Sequence, residues 1–156
     1  MSEAKAPDGD AAAWLKRELG VTIEKIQPNA AAAAMALRDA QENLTAARKV
    51  IADSPTYAVA GCHDAARKAI TAHMTANGLR PKSGEGSHSV VIQYAEHAMP
   101  DHLAPEQIKG LRRLKQQRND AEYGHIDLPQ WHAKRLDLAA DLAQSVIDSV
   151  VRALKA

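Results

Sequence analysis

The sequence predicts an all-α fold, an antiparallel up-and-down bundle of four to five helices, and three observations carry that prediction. Alanine, the strongest helix former, supplies 32 of the 156 residues. Phenylalanine is absent and aromatic residues amount to 3%, which removes the side chains that sheets pack best. Every periodic apolar segment repeats at steps of three and four, and none alternates in the manner of a half-buried strand. With 46% hydrophobic and 25% charged residues, the chain has the composition of a folded domain. Its length suits one core and is short for two.

The elements follow in order. Residues 1–9, with Pro7 and Gly9, show no periodicity and read as a disordered tail, leaving 10–156 as a single domain. Asp10 is placed to cap a short helix through Ala11, Trp14, Leu15 and Leu19, closed by Gly20. Pro28 and Asn29 open a long helix over about 29–53, whose stripe is Leu37, Ala40, Leu44, Ala47 and Ile51. The Ser54-Pro55 pair restarts the chain, because proline at the first helical position gives up only a donor that has no partner there. Val59, Cys62, Ala66, Ala69 and His73 form the next stripe, with Ile70 and Met74 beside it, and Asn77-Gly78 closes it. Residues 80–87 read as a basic, glycine-rich loop. Ser87 or Ser89 begins a shorter helix through Val91, Tyr94, Ala95 and Ala98, stopped by Pro100. Pro105 starts another, with Ile108, Leu111, Leu114, Arg118 and Ala121 on one face and Gly124 as its stop. The last helix begins at Asp127 to Pro129 and carries Leu138, Leu142, Val146, Val150 and Leu154, widened by Ile147 and Val151. Short connections between such helices place neighbours antiparallel.

Several function classes fall away at once. The formal net charge is +1, so bulk charge points to neither nucleic acid nor membrane, and only a local cluster could. No apolar run approaches the roughly 20 residues of a membrane span. The first ten residues lack the apolar core of a signal peptide, so a cytoplasmic protein is expected. A single cysteine, Cys62, excludes a disulfide framework and a cysteine-rich metal site, and reads as a buried thiol. His63 and His73 stand ten residues apart and His97 and His102 bracket Pro100, which is not metal-ligand spacing, so neither metal nor cofactor is expected.

The informative break falls at residue 118. An arginine stands on a stripe that should face the core, and a buried guanidinium requires an anion or an open cleft. Glu122, four residues on, offers a structural pair. The charge order, cation first, is the weaker one for such a pair. His125 lies seven residues on, about 20° round and roughly 10 Å along a continuing helix. Arginine, histidine and the neighbouring Asn119 could together handle a phosphodiester, the first holding phosphate oxygens and the second moving a proton near neutral pH. Five basic residues, Lys109, Arg112, Arg113, Lys115 and Arg118, fall within ten positions that hold no acid. A phosphate backbone responds to such a patch. No aromatic residue interleaves with it, so base stacking is not indicated.

The run Arg118-Asn119-Asp120-Ala121-Glu122-Tyr123-Gly124-His125 resembles the HEPN superfamily of small bacterial helical domains, in which an arginine is followed after four to six residues by a histidine. The Arg-Asn-x-x-Glu-Tyr portion looks most like a branch common in actinobacteria. The segment from Tyr57 to Gly78, the basic glycine loop and Ser87-His88-Ser89-Val90-Val91 resemble the same superfamily, over roughly residues 30–150. The resemblance implies a helical bundle, usually dimeric. It also implies a metal-independent endoribonuclease of toxin–antitoxin or defence systems, or else a module that has lost catalysis and binds RNA, nucleotide or a protein partner. On this reading Arg118, His125 and Asn119 are catalytic and Glu122 and Tyr123 support them. Lys109, Arg112, Arg113 and Lys115 bind substrate, RNA and an antitoxin-like protein are the partners, and no metal takes part. One Arg and one His two turns apart hardly grip a single phosphodiester, so two copies of the site helix meeting about a two-fold axis are expected to compose the site.

Overall fold

The computed structural model describes residues 7–83, 87–122 and 133–155. Within them the chain forms α1 (Pro7–Glu18), β1 (Ile23–Lys25), α2 (Ala30–Lys49), α3 (Pro55–Ala76), β2 (Leu79–Pro81), α4 (Ser87–Ala98), α5 (Pro105–Glu122) and α6 (Ala133–Lys155). The predicted all-α bundle is the fold, with α2, α3, α5 and α6 as its long members and α1 and α4, of 12 residues each, as the short ones.

Local chemistry sets the boundaries. The Asn29 side chain accepts from the Ala32 N–H at 2.9 Å and caps α2. At the start of α5, Pro105 follows Ala104, whose N–H donates to Gln107 Oε1 at 2.8 Å, half of a capping box. The Gln107 amide then reaches Ser145 and Ser149 on α6. Gly20 and Gly78 take φ of +85° and +76°, the left-handed geometry that ends a helix. Helix α1 begins at Pro7 rather than at Asp10, so Pro7, Asp8 and Gly9 belong to the helix and not to a tail. Helix α2 ends at Lys49, and residues 50–53 turn before Ser54 rather than continuing it.

Helix α3 is the hub. It packs against α2, α4, α5 and α6 and buries residues on most of its circumference, among them Val59, Cys62, His63, Ala65, Ala69, Ile70 and Met74. Its alanines let four neighbours approach closely. Gln41 pairs reciprocally with Gln144, and Arg48 meets Asp141 at 2.9 Å, which sets α2 and α6 antiparallel. On α6 the buried line is Leu136, Ala139, Ala140, Ala143, Val146, Ile147 and Val150, while Leu138 is 61% exposed. The expected stripe therefore lies rotated towards the alanines. Cys62 is buried as expected, and burial, opposed by the nearby Arg48 charge, pushes its thiol up to about 11.

One close approach yields a stability test. A Cβ built on Gly61 would lie 2.9 Å from the Ala47 Cβ. No flexible side-chain end is there to yield, so α2 and α3 would have to separate. Gly61→Val is expected to cost about 1–3 kcal/mol and to lower the melting temperature by several degrees in a calorimetric scan.

The two short strands were not anticipated, and part of the segment read as a loop, Arg80-Pro81, lies in β2. They pair antiparallel with Glu24 opposite Arg80, whose Nε donates to Glu24 Oε1 at 2.6 Å. Helix α1 docks on α4 through Trp14, whose ring stacks on His97 with centroids 5.2 Å apart and also leans on Tyr94. Tyr94 is buried, as expected of a core anchor, and its hydroxyl lies 2.8 Å from Nδ1 of His73. Burial, helped by the charge of His102, lowers the His73 pKa from 6.5 to about 4. The unfolded chain thus binds the extra proton between those values. Stability present above pH 6.5 should fall by roughly 1–2 kcal/mol as pH drops towards 4, after allowance for partial solvent screening, and then level. Urea midpoints across that window should show the fall, and His73→Gln should flatten it.

Candidate active site

Helix α5 carries the site. Leu111 and Leu114 are buried, and the next position on their stripe is Arg118, with 27% of its side chain exposed. Its Nε is buried without a hydrogen-bond partner, and its Nη1 lies 3.3 Å from Glu122 Oε2. The guanidinium meets Glu122, and it also borders an open cleft of about 380 Å³. The opposite wall comes from the start of α3, with Ser54, Thr56, Tyr57 and Ala60 facing Arg118, Ala121 and Glu122.

That wall is electropositive in its own right. Ser54 caps α3 by position, yet its side chain makes no capping hydrogen bond. Pro55 has no N–H, and Ala58 is the first residue to reach a helical acceptor, the Ser54 carbonyl at 2.9 Å. The Thr56 and Tyr57 N–H groups are therefore the unfilled donors of a 22-residue helix, where the macrodipole favours an anion. An arginine fork and a helix N-terminus open on one cleft.

A web of charge lies behind it on α3. Asp64 is held below the usual carboxylate range by the His63 ring, whose Nδ1 is 3.6 Å from Oδ1, and, against the cost of burial, by the charges of Arg67 and Arg118. The Arg67 Nε, like that of Arg118, is buried without a hydrogen-bond partner. Among the described residues no group of three or more His, Cys, Asp or Glu side chains is placed to hold a metal ion.

The basic run divides. Arg112 donates to Glu96 on α4, and Lys115 Nζ reaches Ser89 Oγ at 2.5 Å. These two line a separate cleft of about 230 Å³ with Gln93, Gln116 and Asn119. Lys109 lies 3.6 Å from Glu106 on the exposed side, and Arg113 is exposed. Arg118 and Asn119 are neighbours in sequence but stand about 100° apart on the helix, so they open into different clefts. Of the site residues read from the sequence, the structure brings Arg118 and Glu122 together and places Arg112, Lys115 and Asn119 a face away. Tyr123 and His125 lie outside the described residues, as do Gly124, residues 127–129 and Trp131.

Sequence reasoning missed the α3 contribution. Tyr57 is 70% exposed and borders the Arg118 cleft, so an aromatic ring does stand beside the site cation, supplied by another helix. The available signal was a tyrosine three residues past the Ser54-Pro55 start and off the stripe of Val59, Cys62 and Ala66.

The family profile described as HEPN domain matches residues 33–154, a span that runs from early α2 to the end of α6 and includes every wall of the cleft. The chain belongs to the HEPN family. A search of the curated proteins and of the solved structures returns no match.

Proposed function

We propose that the protein is a metal-independent endoribonuclease of HEPN type, acting at the cleft between the end of α5 and the start of α3. The carrying observation is Arg118: a largely buried guanidinium on an apolar stripe, facing the open N-terminus of α3 across a space that suits a phosphate group. In the reaction the RNA 2′-hydroxyl attacks the adjacent phosphorus. The new O2′–P bond forms as the P–O5′ bond breaks, leaving a 2′,3′-cyclic phosphate and a 5′-hydroxyl. His125 takes the proton from the 2′-oxygen or gives one to the departing 5′-oxygen. Arg118 and the Thr56 and Tyr57 N–H groups stabilise the charge that gathers on the phosphorane oxygens. Glu122 holds the guanidinium in the free protein through an exposed pair worth only a few tenths of a kcal/mol, which a phosphate readily displaces.

Two copies meeting along α5 complete the site in this reading, and the basic residues Lys109, Arg112, Arg113 and Lys115 guide the flanking RNA. Asn119 would act on RNA entering its own cleft. A cytoplasmic toxin restrained by an antitoxin-like protein is the biological setting the family suggests. The test is incubation with total RNA in EDTA, with Arg118→Ala beside it. Cleavage by the wild type alone supports the proposal. RNA binding without cleavage instead assigns a non-catalytic HEPN module. Light scattering that finds only monomer at micromolar concentration removes the composite site.

A further inference from the structure

Tyr57 stands on a ridge between two clefts. Beyond it a second cleft of about 230 Å³ opens between α2 and α3, and Tyr57 and Ala60 line both, with Asn43, Gly61 and Asp64 on the far side. The two form one groove over the first turns of α3. The Tyr57 ring is exposed, and among the described residues no aromatic ring stacks on it. Gly61 adds no side chain to the groove. An uncovered ring beside a phosphate-binding cation is a platform for a planar, partly apolar ligand.

Asp64 lies seven residues beyond Tyr57, two turns along the same face. Its side chain is 39% exposed, and an ionised carboxylate offers acceptors only. Of the four RNA bases, guanine alone presents two adjacent N–H donors on its Watson–Crick edge, at N1 and the N2 amino group. Adenine and cytosine set an acceptor beside a single amino donor, and uracil sets one N–H between two carbonyls. Asn43 on the α2 wall has an amide N–H that matches guanine O6. A lone carboxylate would repel RNA, but the His63 ring lies 3.6 Å from this one and the charges of Arg67 and Arg118 oppose it.

We propose that the groove is a guanine subsite: Tyr57 stacks the base, and the two Asp64 oxygens accept from N1–H and the N2 amino group. The proposal rests on the RNA reading of the Arg118 cleft and names the nucleotide beside the phosphate held there.

The experiment measures fluorescence anisotropy with 2′-O-methyl decamers, which cannot be cleaved because the attacking hydroxyl is blocked. A uridine run with one central guanosine should bind about tenfold tighter than the same run with adenosine, cytidine or inosine, since inosine lacks only the N2 amino donor. Asp64→Asn should bring the guanosine decamer down to the level of the others. Tyr57→Ala should weaken every decamer by about tenfold, and Tyr57→Phe should restore binding, because stacking needs the ring and not the hydroxyl. Circular dichroism of each variant confirms that it is folded. Equal affinity for all four decamers, or a guanosine preference that survives Asp64→Asn, overturns the subsite. A loss in Tyr57→Phe as large as in Tyr57→Ala overturns the stacking role. Guanosine-selective binding without cleavage of any RNA removes the nuclease and keeps the subsite, while cleavage without base preference does the reverse.

Discussion

Arg118→Ala should reduce RNA cleavage by about a hundred- to a thousandfold while leaving the helix content unchanged. One charged donor aimed at a developing oxyanion is worth roughly 3–4 kcal/mol in the transition state. In the free protein the same group does little for stability. Its only ion pair, among the described residues, is with the half-exposed Glu122, its charge is the weakest of the influences that hold Asp64 ionised, and its buried Nε has no hydrogen bond to lose. Removing the side chain even relieves that unsatisfied donor, so the melting temperature should move by no more than a degree or two. A structural arginine makes the opposite pattern: a lower melting temperature and no cleavage to lose. The two measurements, a single-turnover cleavage rate and a thermal scan, separate the cases without reference to any particular RNA. Arg118→Lys should recover little activity, because an ammonium lacks the fork that holds two phosphate oxygens.

His125→Ala should be comparably severe, since proton transfer by a positioned side chain typically contributes about a hundred- to ten-thousandfold. The sign of the pH dependence adds a second readout. A histidine that must be neutral to accept the 2′-hydroxyl proton loses activity as pH falls below its pKa, and one that must be charged to protonate the leaving oxygen loses it as pH rises. The wild-type pH–rate profile should carry one such limb, and His125→Ala should lack it. Full activity in His125→Ala alongside an inactive Arg118→Ala would transfer the role to Tyr123 or to a histidine of the second copy.

Much of this architecture is legible in the chain. Arg118 announces itself because a charge on an apolar stripe is a local contradiction, and its neighbours Leu111 and Leu114 define that stripe without any knowledge of the fold. The helix starts at Asn29, Ser54-Pro55 and Pro105 are equally local. Other features depend on what packs against what. Spacing puts Leu138 on a stripe with Leu142 and Val146, yet α6 turns Ala139, Ala140 and Ala143 to the core, because a crowded hub leaves room for small side chains. The strands at Ile23–Lys25 and Leu79–Pro81 hold three residues each, too few for an alternating pattern to show, and their pairing joins segments far apart in sequence. Tyr57 and Asp64 sit on α3, and only the packing of α3 against α2 and α5 turns them from surface residues into the walls of a groove. For the same reason the split between Arg118 and Asn119 is invisible in a motif that writes them side by side.

The small sheet has a mechanical consequence. Strand β1 enters the α2–α3 hairpin and β2 leaves it, so their pairing acts as a clasp across the open end of that hairpin and pins the C-terminus of α3. The cleft lies at the other end of the same helix, roughly 30 Å away by helical rise. The hub helix is thus a beam fixed at one end and loaded at the other. Amides of the clasp should exchange with solvent only when the whole hairpin opens, whereas those around Ser54 are free to exchange by local motion. Adjustment to a ligand can then occur at the working end while the core stays closed.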